Sequence, residues 1–306
     1  MISFQQIEYI LTLSEELHFQ KASDRCFVSQ PTLSMQLKKA EEVLGQPIFD
    51  RTKSPIELTT FGERIVPMLR DVQVEYNRIE DFVKKESGTS KEVIRMAVIP
   101  TIASYLIPDL YHKWQAAIKD VQLIIEELKT EDLLIELEKG KIDIGILSGP
   151  VNNPKWKTNI LFQEEILAYY PAGNEDTVLT DDLIQIHPWL LTPGNCLRTQ
   201  MMHFCSLKGK DHTEDWDYQG GNIDLLMNMV DKHGGYTLVP SNHEVTIAKN
   251  LKTIKSAIGE IPAREIIAIS NDRSLKWDNM EKIIREIQLN YNQPRSSKNL
   301  QLLGWK

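Results

Sequence analysis

The periodicity of apolar residues in this chain changes once, near residues 87–90, and each side of the change permits a different kind of fold. Before it, apolar residues recur at helical spacing: Phe4, Ile7, Ile10 and Leu11, then Leu33, Leu37, Ala40 and Leu44, then Ile65, Met68, Leu69, Val72, Tyr76, Ile79 and Val83. After it, short apolar runs alternate with amphipathic stretches. Val93–Ile99, Val121–Leu128 and Ile142–Leu147 read as strands, with helices over Ala103–Trp114 and Glu131–Lys139 between them. That alternation predicts a parallel sheet covered on both faces. Further strands are expected at Glu165–Tyr170, Trp189–Leu191, Tyr236–Val239 and Ile266–Ile269. Ser87, Gly88, Thr89 and Ser90 form a linker between the two patterns. At 306 residues there is room for a separate core on each side.

The helical part has its own punctuation. A helix over Phe19–Cys26 meets a short turn at Phe27–Val28, and Ser29 can cap a second helix whose first turn holds Pro31. That helix runs to Gly45, a natural C-terminal stop. Ile48–Leu58, bracketed by Pro47 and interrupted by Pro55, reads as a two-stranded wing, and a long helix follows from Thr60 to about Lys85. A helix, a tight turn and a second helix opened by small polar residues is the arrangement that enters a DNA major groove. Gln30, Thr32 and Ser34 could donate and accept at base edges, and Gln36, Lys38 and Lys39 lie further along for bases or phosphates. Arg51 and Lys53 on the wing could hold phosphate. Taken singly, these residues also fit a helical hairpin with a solvated polar face. Charge does not decide the matter: the net charge is −8, and residues 1–64 carry seven Lys or Arg against nine acids.

The length of the motif decides it. Ala22, Ser29-Gln30-Pro31-Thr32-Leu33-Ser34, Gln36, Leu44-Gly45, Ile48-Phe49, Arg51 and Leu58-Thr59-Thr60-Phe61-Gly62 resemble the DNA-binding head of LysR-type transcription regulators. Cys26 stands where that family has Leu, and Ala40 where it has Leu before Glu41. The resemblance implies an α/β protein with an N-terminal winged helix-turn-helix (1–58), a linker helix and hinge through which such proteins dimerise (59–90), and a periplasmic-binding-protein-like regulatory domain (91–306). That domain has two α/β subdomains, I from 91–163 and 267–306 and II from 164–266.

There are only three cysteines, Cys26, Cys196 and Cys205. So few make a disulfide framework a poor expectation, and a close pair in a reducing compartment is catalytic, metal-binding or redox-sensing more often than a static staple. Two unrelated buried cysteines are the plainer alternative. A C-x8-C spacing with His203 as the one nearby ligand is poor for zinc, so no metal or cofactor is expected. Gly194, Cys196, Leu197, Arg198, Gln200, Phe204 and Cys205 resemble the segment that marks the OxyR subfamily of hydrogen-peroxide sensors. That resemblance implies a peroxidatic Cys196 and a resolving Cys205. With Gly194-Asn195 entering a helix, Cys196 is expected in the first turn, its thiolate favoured by the helix N-terminus and by Arg198. Thr101 and Thr130 resemble the subfamily's peroxide-contacting threonines, both also suiting helix capping, and with Arg198 and Gly194 they make up the expected peroxide pocket. Three positions depart from the subfamily: Asn195 for a His, Asp217 or its neighbours for another His, and Asn271 for an Arg after the last core strand.

The expected partners are palindromic double-stranded DNA, hydrogen peroxide, a second or further copies of the chain (homodimer or homotetramer) and RNA polymerase. The N-terminal residues lack a signal-peptide pattern, and no apolar run approaches the length of a bilayer span, so a cytoplasmic location without membrane contact is expected. The competing readings are a LysR-type regulator of a metabolite with idle cysteines, a thiol peroxidase, and a solute-binding protein. The helix-turn-helix speaks against the last two, and an enzyme is not expected.

Overall fold

The computed structural model describes residues 1–87, 91–172, 175–207, 221–243, 248–291 and 299–305. Two compact units make up the chain, Met1–Ser90 and Lys91–Lys306.

In the first unit, α1 (Phe4–Glu16) opens on a capping box between Ser3 and Gln6. Next come α2 (Phe19–Arg25) and α3 (Gln30–Leu44), the latter ending at Gly45 with φ +76. The wing is a two-residue pair, β1 (Phe49–Asp50) antiparallel to β2 (Glu57–Leu58). The long helix α4 spans Thr60–Ser87; the linker residues 88–90 lie outside the described residues. Ile10, Leu13, Leu33, Leu37 and Ile48 are fully buried in one core, each contributing roughly 1.5–3 kcal/mol by leaving water. The apolar stripe of α4 divides. Val66 and Leu69 join that core, whereas Met68, Val72, Ile79, Phe82 and Val83 stay exposed and Tyr76 stacks on Phe4.

The second unit is built on β3 (Glu92–Val98), α5 (Pro100–Ala117), β4 (Val121–Glu127), α6 (Thr130–Glu138), β5 (Ile144–Ser148) and β6 (Trp156–Tyr169). It continues with β7 (Thr177–Leu179), α7 (Thr180–Leu183), α8 (Cys196–Phe204), α9 (Ile223–His233), β8 (Thr237–Pro240), β9 (Leu251–Lys255), β10 (Ile261–Asn271), α10 (Trp277–Asn290) and β11 (Leu300–Leu302). The strand order is β4-β3-β5-β10-β6-β9-β7, with β8 on β6 and β11 on β10. The parallel sheet expected over Val93–Ile99, Val121–Leu128 and Ile142–Leu147 is present, set within a larger mixed sheet. β4, β3 and β5 run parallel, but β10 is antiparallel to β5 and to β6. The long strands β6 and β10 are the cause. The first part of β6 pairs with β10, and its last residues, from Ile166, pair with β8 and β9. Two cores result, one around Ile94, Leu106, Ile146 and Ile283, the other around Ile166, Leu197, Leu226 and Val239. No strand forms at Trp189–Leu191. The chain touches the sheet there by a single bridge, Pro188 to Tyr236, with Trp189 N–H on Tyr236 O at 2.8 Å. Among the described residues no helix is long and apolar enough to cross a membrane.

Candidate redox site and nucleic-acid interface

Gly194 has φ +87, a left-handed conformation that suits glycine, and a Cβ there would stand 3.3 Å from Lys129 Cδ. The turn it makes feeds α8. Asn195 is the N-cap, but its side chain does not cap: it is buried and Nδ2 donates to both Thr192 O and Thr192 Oγ1 at 3.0 Å. Cys196 is therefore the first residue of α8, and Cys205 is its C-cap. Both thiols are free and buried. Nine residues at 1.5 Å each set their Cα atoms about 13 Å apart along the helix, well beyond the roughly 7 Å limit of a disulfide.

The cation beside Cys196 is Arg264, not Arg198. Arg264 Nη1 donates to Cys196 Sγ at 3.8 Å and to Thr101 Oγ1 at 2.9 Å, and Nη2 donates to Thr101 O at 3.0 Å. The Arg198 guanidinium instead donates to Leu191 O at 2.8 Å and braces the turn before the helix. Arg264 is itself held by Glu164 at 2.7 Å, both side chains being fully buried. The two residues face each other across β10 and β6. Tyr105 Oη donates to Glu164 Oε1 and Asn242 Nδ2 to Glu164 Oε2, both at 2.9 Å, so the carboxylate is well satisfied. Asn271 caps a turn instead of lining the site. Its Oδ1 accepts from Arg273 N–H at the end of β10, and the buried guanidinium comes from residue 264 of the same strand. Asp217 lies outside the described residues.

The sequence expectation of a depressed thiol also needs correcting. Burial pushes the Cys196 thiol above its ordinary value, and the Arg264 charge, the Thr101 hydroxyl and the Leu197 N–H only pull it part of the way back. The physical reason is desolvation: burial disfavours the thiolate more than one cation and a few donors favour it. Burial pushes Cys205 up to about 12, with the Tyr236 hydroxyl opposing weakly. Tyr236 Oη has no hydrogen-bond partner of ordinary geometry, so the contact with Cys205 is electrostatic rather than a formed bond.

Neither threonine caps a helix. Thr101 follows Pro100 in the first turn of α5, behind an Ile99 N-cap, and Thr130 opens α6 behind a Lys129 N-cap. Thr130 is buried and its Oγ1 has no partner. Lys129 Nζ donates to Pro193 O at 3.3 Å, so the start of α6 lies against the turn that leads to Cys196. One helical turn below Cys196, buried Gln200 gives Nε2 to Ser148 Oγ and Leu303 O, both at 3.0 Å, while its Oε1 is unpartnered. Two polar atoms without partners, Thr130 Oγ1 and Gln200 Oε1, thus sit on the elements that surround Cys196. A second polar link joins α5 to α9: Ser104 Oγ lies 3.2 Å from His243 Nδ1, and His243 Nε2 lies 3.0 Å from Asp224 Oδ1.

In the first unit, Ser29 caps α3. Its Oγ accepts from Thr32 N–H at 3.3 Å and lies 2.8 Å from Thr32 Oγ1. Gln30, Pro31, Lys38 and Lys53 are exposed, and Thr32, Ser34 and Gln36 are half-buried. Gln36 Oε1 accepts from Gln6 Nε2 at 3.2 Å. Arg51 is not a free phosphate clamp. Its Nη2 pairs with Glu41 Oε2 at 2.8 Å, Nη1 reaches Ser34 Oγ at 3.5 Å, and the guanidinium lies over the Phe19 ring. Glu41 Oε1 in turn accepts the N–H of Ile48 and Phe49, so Arg51 and Glu41 fix the wing to α3.

The profile described as LysR substrate binding domain matches residues 87–281, and that of the bacterial regulatory helix-turn-helix protein, lysR family, matches residues 4–63. The hydrogen peroxide-inducible genes activator of Dickeya chrysanthemi is 32% identical over 244 residues, 78% of this chain and 79% of that protein. The DNA-binding transcriptional dual regulator OxyR of Escherichia coli K12 shows the same identity over the same length and shares of both chains. A full-length OxyR variant from Pseudomonas aeruginosa superposes with a TM-score of 0.68 at 26% identity, covering 94% of this chain and 98% of that one.

Proposed function

The chain belongs to the LysR family of bacterial helix-turn-helix regulators and groups with its OxyR members, and on that premise we propose that it is a DNA-binding transcription regulator switched by hydrogen peroxide at Cys196. The observation that carries the reading is the position of Cys196: buried, in the first turn of α8, with Arg264 and Thr101 on its sulfur. The thiolate is a minority species in this closed state, and Arg264, Thr101 and the Leu197 N–H hold its charge. It attacks one peroxide oxygen and breaks the O–O bond. The sulfur leaves as sulfenic acid and the other oxygen as hydroxide, which takes up the thiol's proton as water. The Thr130 and Gln200 oxygens without partners suit the hydroxyls of a small polar guest, and Gly194 sets the turn that closes over it. Cys205 then condenses with the sulfenic acid, releasing water and forming the disulfide.

Because α8 keeps the two sulfurs apart, the bond forms only if α8 unwinds. That change in the regulatory unit is the signal. Ser29, Gln30, Pro31, Thr32 and Ser34 at the start of α3 read the DNA, with Gln36, Lys38 and Lys53 as flanking contacts and Arg51 as the brace of the wing. The exposed stripe of α4 joins two copies, giving the paired recognition helices that a palindromic site needs.

The test is DNA binding by the full chain with and without peroxide, for wild type and Cys196→Ser. A peroxide-dependent change of footprint that Cys196→Ser abolishes supports the reading. An identical response in both proteins refutes it.

A further inference from the structure

After the N-terminal Met1, Phe27 is the most exposed large apolar residue among those described, at 95%. It lies in the turn between α2 and α3. Phe27 N–H donates to Asp24 O at 3.2 Å and Val28 N–H to Ser23 O at 3.0 Å, closing α2 around a residue with φ +55. This is the Schellman closure, and its left-handed position is ordinarily filled by Gly or Asn. A bulky L residue strains the backbone there. Leu17, at φ 49 behind α1, shares the conformation, but its side chain is half-buried and gains packing in return. Phe27 gains none: among the described residues its ring makes no aromatic or cationic contact, and nearly all of it faces solvent. The two closing hydrogen bonds hold the turn, but the Phe27 ring returns no packing for its strain among the described residues.

The turn also fixes where Phe27 stands relative to α3. Both closing hydrogen bonds hold the Cα of Phe27 two residues ahead of the Ser29 cap, and Gln30 and Pro31 follow on the exposed start of α3. We infer that Phe27 is a DNA-contacting residue whose ring packs on a thymine methyl group in the major groove, next to the bases faced by Gln30. The inference rests on the proposed reading of α3 as the recognition helix. Phe is one of the side chains whose apolar contact with that methyl distinguishes thymine from the other bases.

The experiment uses the full chain and duplexes that the wild-type chain selects from a randomised library. Affinities are measured for wild type, Phe27→Asn and Gln30→Ala, on the selected duplex and on copies in which each thymine in turn is replaced by uracil, which lacks only the methyl. Phe27→Asn is expected to weaken specific binding roughly fivefold or more, the low end of the value of a base contact. Its melting temperature stays level or rises, because Asn tolerates the left-handed backbone. Uracil at one thymine weakens wild type and leaves Phe27→Asn unchanged. If Gln30→Ala loses affinity while Phe27→Asn binds like wild type, the first unit still reads DNA and the assignment of Phe27 is overturned. It is overturned equally if Phe27→Asn binds weakly only because it melts earlier, or if no thymine-to-uracil change separates the two proteins. If wild type selects no duplex, or Gln30→Ala binds like wild type, the reading of α3 falls and Phe27 falls with it.

Discussion

Cys196 and Cys205 bound the same helix but pack into different cores: Cys196 against the core around Ile94, Leu106 and Ile283, Cys205 against the one around Ile166, Leu226 and Val239. Leu197, Met201 and Phe204, on the helix between them, also belong to the second core. Joining the two sulfurs therefore removes one buried residue from each side's packing as well as breaking helical hydrogen bonds. The reduced state is held by that packing, and the oxidised state by one covalent bond.

The Arg264–Glu164 pair should dominate the stability of the site. Arg264→Met leaves a buried carboxylate unpaired and should cost about 3–5 kcal/mol in chemical denaturation. Arg264→Met with Glu164→Gln should recover much of that loss. In this double variant the Cys196 thiol loses its cation and rises further. Its oxidation rate at neutral pH should fall on the order of tenfold for each unit of rise, with the rate–pH profile moved to higher pH. A profile unchanged from wild type would show that Arg264 does not act on the thiol.

The two threonines should separate. Thr101→Val removes the acceptor of Arg264 Nη1 inside the protein and should cost about 1–3 kcal/mol. Thr130→Val removes a hydroxyl that has no partner and should leave stability level or raise it, while slowing Cys196 oxidation at low peroxide. A Thr130→Val protein that oxidises at the wild-type rate would reduce Thr130 to a packing residue.

Much of this was legible in the sequence. Ser29, Pro31 and Gly45 marked the bounds of α3, and Gly194-Asn195 marked the entry to α8, because caps and stops are local chemistry. Arg264 and Glu164 were not legible as site residues. They meet only through the register of β6 with β10, and a single chain does not display a register between strands about 100 residues apart. Arg264, which with Glu265 interrupts the apolar run Ile261–Ile269, was the available signal. Sequence also misplaced the cation on Arg198, since proximity in the chain stood in for proximity in space. The antiparallel strands added to the parallel three were not legible for a related reason: an apolar strand shows that it is buried but not which way its neighbours run.

Cys205 should leave a pH signature. Its folded thiol sits at about 12 because of burial, whereas an unfolded thiol titrates near 8.5. Above roughly pH 8.5 the unfolded chain binds fewer protons than the folded one, so this contribution is intact below that pH and is lost as pH rises toward about 12. Denaturation of the reduced protein across the alkaline range should show a steeper loss for wild type than for Cys205→Ala.

The wing residues should differ in kind. Lys53→Ala should weaken DNA binding evenly across sequences and lower the salt slope by about 1. Arg51→Ala should instead lower the melting temperature, since it breaks the tie to Glu41. Equal salt slopes for Lys53→Ala and wild type would remove Lys53 from the contact surface.

The most direct test of the switch is peptide mapping of the full chain after stoichiometric peroxide, paired with amide hydrogen exchange over residues 195–205. The switch requires an intramolecular Cys196–Cys205 disulfide, Cys26 left as a free thiol, and loss of amide protection along α8 that returns on reduction. Cys205→Ser should stop at a trappable sulfenic acid on Cys196. A bridge that includes Cys26, or a Cys196–Cys205 bond formed with α8 still protected, would contradict it.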